Sequence, residues 1–238
     1  MPALSDILGF KRPDFTKPGL PAGLLGFMVS LFMLVLAPNS HAQAVGKPAT
    51  AGTGPTILVV GDSLSAEYGL KRGSGWVSLM TQRLLAEKMP GQVVNASISG
   101  DTTSGGRSRL GALLTQHKPG VVIIELGGND ALRGLPLEMT EGNLRTMTQA
   151  AQKAGAKVLL VGMQVPPNYG GDYAAKFSGL FAKVAKDTKS AIVPFLLKGV
   201  ADTNDATRLF QADRIHPNEQ AHPMMLANVW PELKKLLK

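Results

Sequence analysis

TILVVGDSLS, at residues 56–65, places a short aliphatic run directly before a glycine and a small polar segment. A run of four to eight apolar, mostly β-branched residues that ends in this way is typical of a strand buried in a parallel sheet. Four further runs of this kind follow along the chain: QVVNAS (92–97), VVIIELG (121–127), KVLLVGM (157–163) and AIVPF (191–195). The chain is therefore predicted to contain five buried parallel strands.

Stretches with the periodicity of amphipathic helices separate these runs. They cover residues 76–88, 103–117, 138–154, 173–186 and 224–237. Regular alternation of strand and helix predicts an α/β fold in which helices cover both faces of one parallel sheet. Residues 56–238 contain no internal repeat and no linker, so we expect one domain there.

The first 44 residues are predicted to be a secretory signal peptide and not part of this fold. Three basic residues precede an apolar run at 22–37, and Ala-Gln-Ala follows at 42–44. A positive flank, a short apolar run and a small-residue exit are typical of a cleaved signal, and the run is shorter than the ~20 residues of a membrane span. We expect cleavage near Ala44, a flexible lead-in at 45–55 and a periplasmic or secreted protein. An uncleaved N-terminal anchor is the alternative.

Composition and charge exclude several classes of site. The chain has no cysteine, which removes a cysteine nucleophile, thiolate metal sites and disulfides. The net charge is +8, but the bases are scattered, apart from KKLLK at 234–238, and no aromatic residues are interleaved with them. We therefore expect no nucleic-acid partner. The basic surface favours some peripheral attraction to anionic membrane lipids.

Small polar segments follow the predicted strands. In an open parallel sheet, ligands bind beyond the carboxyl ends of the strands. The segments at this edge are GDSLS (61–65), SISGD (97–101), GGND (127–130) and DRIHPN (213–218). A functional site is therefore predicted from these four segments.

Only four histidines are available as a catalytic base. His41 leaves with the predicted signal, His117 lies at a helix end, and His222 opens the last helix, where a capping or surface role is expected. His216 follows Asp213 by three residues. A serine nucleophile needs an adjacent base that a carboxylate orients, and Asp-x-x-His in one turn can supply both, although the same spacing is common in structural turns. No other group of His and carboxylates has ligand spacing, so we expect neither a metal nor a cofactor.

Ser63, Gly100 and Asn129 each have a structural and a catalytic interpretation. Ser63 follows the first strand and could simply cap a helix, and no serine lies in a G-x-S-x-G nucleophile elbow. Gly100 could be a turn glycine or could let the backbone approach a substrate closely. Asn129 could form a turn or donate its amide to a developing negative charge. The occurrence of all three at strand ends favours catalysis.

The four segments together resemble the conserved blocks of the SGNH (GDSL) hydrolase family. The resemblance lies in Gly61-Asp62-Ser63-Leu64, in residues 95–101 (NASISGD), in Gly127-Gly128-Asn129-Asp130 and in Asp213-x-x-His216-Pro217-Asn218. The segments LGGNDALRG (126–134) and VPPNYG (165–170) are most similar to the bacterial periplasmic thioesterase I/lysophospholipase and arylesterase subgroup. One departure is His222-Pro223, where relatives usually continue with a helix former.

The resemblance implies a fold and a set of roles. The fold is a flavodoxin-like three-layer α/β/α domain with a five-stranded parallel sheet and a shallow, open site. Ser63 is implied to be the nucleophile, His216 the base and Asp213 the residue that orients it. The N–H groups of Ser63 and Gly100 and the side chain of Asn129 are implied to form the oxyanion hole.

The implied activity is metal-free hydrolysis of acyl esters and thioesters, of the arylesterase, acyl-CoA thioesterase or lysophospholipase type. The substrate is expected to be a small molecule, and the protein a monomer. The loop at 131–136 matches a segment that covers acyl chains in relatives, so Leu132, Leu135 and Pro136 are expected to contact the substrate. Carbohydrate O-deacetylation, known in other branches of the family, is the alternative activity, and the low aromatic content weighs against it. A binding protein that has lost catalysis is a further alternative, and the presence of all four blocks weighs against it.

Overall fold

The structure, a computed structural model, describes residues 54–203 and 205–238. Its centre is a sheet of five parallel strands in the order β2-β1-β3-β4-β5. The strands are β1 (Thr56–Gly61), β2 (Gln92–Asn95), β3 (Val121–Glu125), β4 (Lys157–Val161) and β5 (Ala191–Val193). This is the strand order of flavodoxin-like doubly wound folds, so the predicted fold class is confirmed.

In the described residues, six α-helices and two short 3₁₀ helices connect and follow the strands. The α-helices are α1 (Trp76–Ala86), α2 (Thr103–His117), α3 (Gly128–Leu132), α4 (Leu137–Lys153), α5 (Gly171–Thr188) and α6 (His222–Leu236), and the 3₁₀ helices are Pro167–Tyr169 and Ala206–Leu209. Helix α1 packs against α6, while α4 packs against both α2 and α5. The sheet therefore lies between helical layers, as the alternating pattern predicted. Helix α3 and both 3₁₀ helices are too short for a periodic signal, and the sequence did not predict them.

Burial differs along the sheet in a way that the sequence did not predict. In β1 and β3 the residues Ile57–Val60 and Val121–Ile124 are essentially inaccessible to solvent. Strand β2 is half-exposed, and β5 buries only Val193. The prediction that all five strands are buried was thus wrong for β2 and for most of β5, because an edge strand has a neighbour on one side only.

The topology determines where a site can form. From β1 the chain crosses to β2 on one side, and it then returns past β1 to β3 on the other side. Ligands bind at such a reversal because the two connections diverge there and leave a crevice at the strands' carboxyl ends. Ser63, Gly100 and Asn129 follow β1, β2 and β3 at this edge.

No helix in the described part of the chain is long and apolar enough to span a membrane. The predicted signal segment, 1–44, and most of the predicted lead-in, 45–55, lie outside the described residues.

Candidate active site

The loop after β1 holds Ser63 in a tight turn. The N–H groups of Ser65 and Ala66 both donate to the carbonyl of Asp62, at 3.2 and 2.9 Å. Gly61 makes the turn possible, because a Cβ there would lie 2.7 Å from Ser65 Oγ, well inside van der Waals contact. Ser63 is therefore placed at the end of the strand with its side chain partly accessible.

His216 connects Ser63 to Asp213 through a chain of short hydrogen bonds. Its Nε2 lies 2.9 Å from Ser63 Oγ, and its Nδ1 lies 2.6 Å from Asp213 Oδ2. The separation in sequence between Ser63 and His216 is 153 residues. An imidazole held in this way by a carboxylate presents the nitrogen that can accept a proton from the serine.

Asp213 is ionised over the whole neutral range. Its carboxylate accepts the backbone N–H of His216 at 3.0 Å, the imidazole, and the backbone N–H of Ile215 at 2.9 Å. These hydrogen bonds, the first of them above all, lower the pKa of Asp213 to about 2. The Asp213 side chain keeps 37% of its accessible surface, and the His216 side chain keeps 18%, so the site is open to solvent.

The ring of Tyr68 lies over the imidazole of His216. The two ring centroids are 4.4 Å apart, and the ring planes are inclined by 38°. Tyr68 is half-exposed, and its carbonyl accepts a hydrogen bond from Gln211 Nε2 at 2.9 Å. Tyr68 therefore packs one face of the imidazole, a contact that the sequence did not indicate.

Asn129 links the segments that carry Ser63 and Gly100. Its Nδ2 lies 3.0 Å from Asp62 Oδ2 and 2.9 Å from the carbonyl of Asp101, which are the chain neighbours of Ser63 and Gly100. The backbone of Gly100 has a φ of 78°, a conformation that favours glycine. Among the described residues, neither the N–H of Ser63 nor that of Gly100 has an acceptor. The structure thus brings all three predicted donors to one place.

Two buried carboxyl groups, those of Asp62 and Glu125, lie beneath the three predicted oxyanion donors. Asp62 is 3% exposed and Glu125 is inaccessible, and the Asp62 backbone N–H lies 3.4 Å from Glu125 Oε2. Burial raises the pKa of Asp62 to about 6. Burial, followed by the charge of Asp62, raises the pKa of Glu125 well above its usual range. Two buried carboxyl groups with raised pKa values therefore lie next to the loop that carries Ser63.

Arg109 of α2 ties the Gly100 segment to the sheet. Its Nη2 lies 2.8 Å from Asp101 Oδ2, and both side chains are mostly buried. The same guanidinium donates to the carbonyl of Ala96 and, at 3.5 Å, to that of Gly61. One side chain therefore bridges the ends of β1 and β2 and fixes the segment that carries Gly100.

The three residues predicted to contact substrate lie beside Asn129. Leu132 ends α3 and is half-exposed, Leu135 is partly buried, and Pro136 is exposed. Leu135 is held by a hydrogen bond of 2.9 Å from its N–H to the carbonyl of Asp130. Their role as acyl contacts stays a prediction.

Of the other two histidines in the described residues, one lies where the sequence predicted and the other does not. His117 is the last residue of α2, as expected. His222 is not at the surface: it is 2% exposed, its Nδ1 accepts the Trp76 N–H at 3.0 Å, and burial lowers its pKa. It caps α1 and not its own helix, because the bond joins the first residue of α6 to the first residue of α1. Within residues 54–203 and 205–238, no three His, Asp or Glu side chains cluster as metal ligands would.

The sequence assigned no role to five residues around the site: Asp62 and Asp101, which lie within the predicted polar segments, and Tyr68, Glu125 and Arg109, which do not. One signal for Glu125 was present, since a carboxylate that ends an otherwise aliphatic strand, VVIIE, is expensive to bury. The sequence contains no comparable signal for Arg109, whose acceptors are mostly backbone carbonyls.

Known proteins resemble this chain over the same region. The profile of the GDSL-like lipase/acylhydrolase family matches residues 59–223. "Esterase TesA" of Pseudomonas aeruginosa is 53% identical over 182 residues, which cover 76% of this chain and 89% of that protein. "Thioesterase 1/protease 1/lysophospholipase L1" of Escherichia coli K12 is 39% identical over 187 residues, 79% of this chain and 87% of that one.

A crystal structure of TesA has the same fold. It superposes with a TM-score of 0.73 at 53% identity and covers 76% of this chain and 99% of its own. The family profile spans β1 to the start of α6, and every segment that forms the site lies within it. On the fold, the site and the extent of these matches, the chain belongs to the GDSL-like lipase/acylhydrolase family.

Proposed function

We propose that this chain is a periplasmic serine hydrolase that cleaves acyl esters and thioesters through Ser63, His216 and Asp213. The observation that carries the proposal is the chain of hydrogen bonds from Ser63 Oγ to His216 Nε2, 2.9 Å, and from His216 Nδ1 to Asp213, 2.6 Å. A serine needs such a base to become a nucleophile at neutral pH. The relatives named esterase and thioesterase support the same class of reaction.

In the acylation half-reaction, Ser63 Oγ attacks the carbonyl carbon of the substrate while His216 Nε2 takes the hydroxyl proton. The carbonyl oxygen becomes an oxyanion, which accepts hydrogen bonds from the N–H groups of Ser63 and Gly100 and from the Asn129 side chain. Asp213 stabilises the imidazolium and holds its tautomer. When the tetrahedral intermediate collapses, His216 gives the proton to the leaving group, at the oxygen of an alcohol or at the sulfur of a thiol. The acyl group stays on Ser63.

In the deacylation half-reaction, a water molecule replaces the alcohol or thiol. His216 takes a proton from the water as its oxygen attacks the acyl carbon. The second oxyanion uses the same donors, and its collapse returns the proton to Ser63 and releases a carboxylic acid. The exposure of Asp213 and His216 supports this step, because water reaches the base without any opening of the fold.

The substrate is proposed to be a medium-chain acyl compound. Leu132, Leu135 and Pro136 form an apolar segment directly after Asn129, where an acyl chain attached to Ser63 would lie. An open site restricts the leaving group weakly, so arylesterase, acyl-CoA thioesterase and lysophospholipase activities are expected to overlap. Each methylene that the segment buries should contribute up to ~0.8 kcal/mol.

The test is a panel of p-nitrophenyl esters and acyl-CoAs with chains of two to twelve carbons, assayed with the wild type and with Ser63→Ala. We expect kcat/KM to rise from two to eight carbons in the wild type, and turnover by Ser63→Ala to be lower by several orders of magnitude. Flat or falling values over that range would favour carbohydrate O-deacetylation. Full turnover by Ser63→Ala would refute the serine mechanism.

The cellular setting follows from the N-terminal pattern. We propose that the segment at 1–44 is removed near Ala44, that the enzyme acts in the periplasm as a monomer without a metal, and that its basic surface makes peripheral contact with anionic lipids. Mass spectrometry of the exported protein should find an N-terminus near Val45. An intact N-terminus on membrane-bound protein would establish an anchor instead.

A further inference from the structure

Asn129 already donates two hydrogen bonds in this structure, to Asp62 Oδ2 at 3.0 Å and to the Asp101 carbonyl at 2.9 Å. A primary amide has two N–H groups, so both are engaged. The opposite orientation of the amide would set its oxygen against two other acceptors, so these contacts also determine which end of the amide faces Asp62. An oxyanion can gain this donor only if one of the two bonds opens or is shared.

Asp62 offers the stronger of the two acceptors. Each of its oxygens is used, since Oδ1 accepts the Leu64 N–H at 3.0 Å while Oδ2 accepts from Asn129. A carboxylate with a donor on each oxygen is suited to the ionised form, which has acceptors only. Because its side chain is buried, the bond from Asn129 is a charge-assisted hydrogen bond that water does not weaken. The bond to the Asp101 carbonyl is between neutral groups.

Glu125 has the opposite pattern. Its Oε2 accepts from Ser65 Oγ at 2.7 Å and from the Asp62 N–H at 3.4 Å. Its Oε1 is buried and has no partner among the described residues. A buried oxygen that no donor reaches favours the neutral acid, because an ionised carboxylate would leave charge on an oxygen without any hydrogen bond. The geometry thus favours the ionised form for Asp62, beside Asn129, and the neutral form for Glu125.

We propose that Asp62 is a positioning residue: its ionised carboxylate anchors one N–H of Asn129, and the N–H now donated to the Asp101 carbonyl is the one that Asn129 gives to the oxyanion. The inference rests on the proposed function, because it takes Asn129 to be an oxyanion donor. It adds to that function the residue that orients the amide of Asn129. Asp62 does not touch the substrate and acts only through Asn129.

The first test is Asp62→Asn, which keeps the size of the side chain but has one acceptor oxygen for two donors. Either the Leu64 N–H or the Asn129 amide must then face another N–H group. We expect kcat to fall by about 10- to 100-fold, the size of loss that a displacement of about 1 Å can cause. KM should change by less than about threefold, because the oxyanion forms only as the reaction proceeds.

A double-mutant cycle separates positioning from other effects. If Asp62 acts through Asn129, Asp62→Asn should lower kcat by less than about threefold in the Asn129→Ala background. Glu125→Gln is the matched control, since it exchanges a neutral buried acid for an amide of the same shape, and its kcat should stay within a few-fold of the wild type. Losses from Asp62 and Asn129 that multiply would overturn the inference while leaving the proposed reaction intact. A kcat unaffected by Asn129→Ala would refute the oxyanion hole itself, and the inference with it.

A measurement on the wild type needs a variant only to assign its signals. The two side-chain amide protons of ¹⁵N-labelled Asn129 can be assigned by comparison with Asn129→Ala. Both should exchange slowly with solvent. An alkylboronic acid that forms an anionic adduct with Ser63 should shift the proton that faces Asp101 more than the one that faces Asp62. Fast exchange of both protons, or a larger shift of the Asp62-facing proton, would overturn the inference.

Discussion

Replacing Asn129 with alanine should lower kcat, and it should also lower the free energy of unfolding through a different contact. The change removes one of three proposed oxyanion donors, and loss of such a donor typically costs 100- to 1000-fold in kcat, or about 2.7–4 kcal/mol. KM should barely move, since substrate binding precedes the charge that Asn129 meets.

The stability loss can be estimated from the contacts of Asn129. Its amide is one of two donors to the carboxylate of Asp62, a residue that is 3% exposed. A hydrogen bond to a charged group contributes about 1.5–3 kcal/mol. For a domain of this size each kcal/mol lowers the melting temperature by about 2–4 °C, so we expect a decrease of about 3–12 °C. The pKa of Asp62 should rise further, because the bond from Asn129 lowers it.

The assay is steady-state hydrolysis of p-nitrophenyl octanoate at least 15 °C below the melting temperature of the variant, beside thermal unfolding followed by circular dichroism. A KM that rises in proportion to the loss in kcat/KM while kcat is kept would refute the role of Asn129 as an oxyanion donor, because Asn129 would then bind the ground state. An unchanged melting temperature would show that the bond to Asp62 contributes nothing to the stability of the fold.

Three further outcomes are expected. Ser63→Ala and His216→Ala should each lower kcat by several orders of magnitude, and the double variant should be little worse, because the two groups act as one unit; losses that multiply would contradict the triad. His222→Ala should lower the melting temperature, since a buried acceptor of the α1 N-terminus is lost, yet keep kcat within a few-fold, whereas His117→Ala should change neither. A chelator such as EDTA should leave activity unchanged; inhibition that zinc reverses would point to a metal mechanism.

Much of the fold was predictable because it depends on local pattern. Five short aliphatic runs that alternate with helical periodicity allow few arrangements other than a parallel sheet between helices. The first predicted strand matches β1 at both ends, whereas the other four extended two residues too far at their carboxyl ends, as at 126–127 after β3. Apolar residues such as Leu126 stay buried after the strand has ended, so a hydrophobic pattern cannot locate the last paired residue.

The candidate site was predictable to the extent that its residues lie at strand ends. Ser63, Gly100 and Asn129 were singled out because polar segments after parallel strands meet at one edge. His216 was chosen because a carboxylate lies three residues before it. That prediction needs no knowledge of the fold, since Asp213 and His216 interact within one turn.

The sequence by itself determined the class of fold, the family and the residues to suspect, because these follow from periodicity and from short motifs. Only the tertiary structure decided which buried groups support those residues and how these groups ionise. Asp62 and Glu125 are 63 positions apart, and the fold buries them against each other, so the two carboxyl groups differ in their tendency to ionise. Which of them ionises more readily depends on burial and on the donors that each oxygen meets. The burial of His222 was decided in the same way, by the packing of α6 against α1 and not by its neighbours in sequence. Protonation and burial are properties of the three-dimensional surroundings of a side chain, and a linear pattern does not contain them.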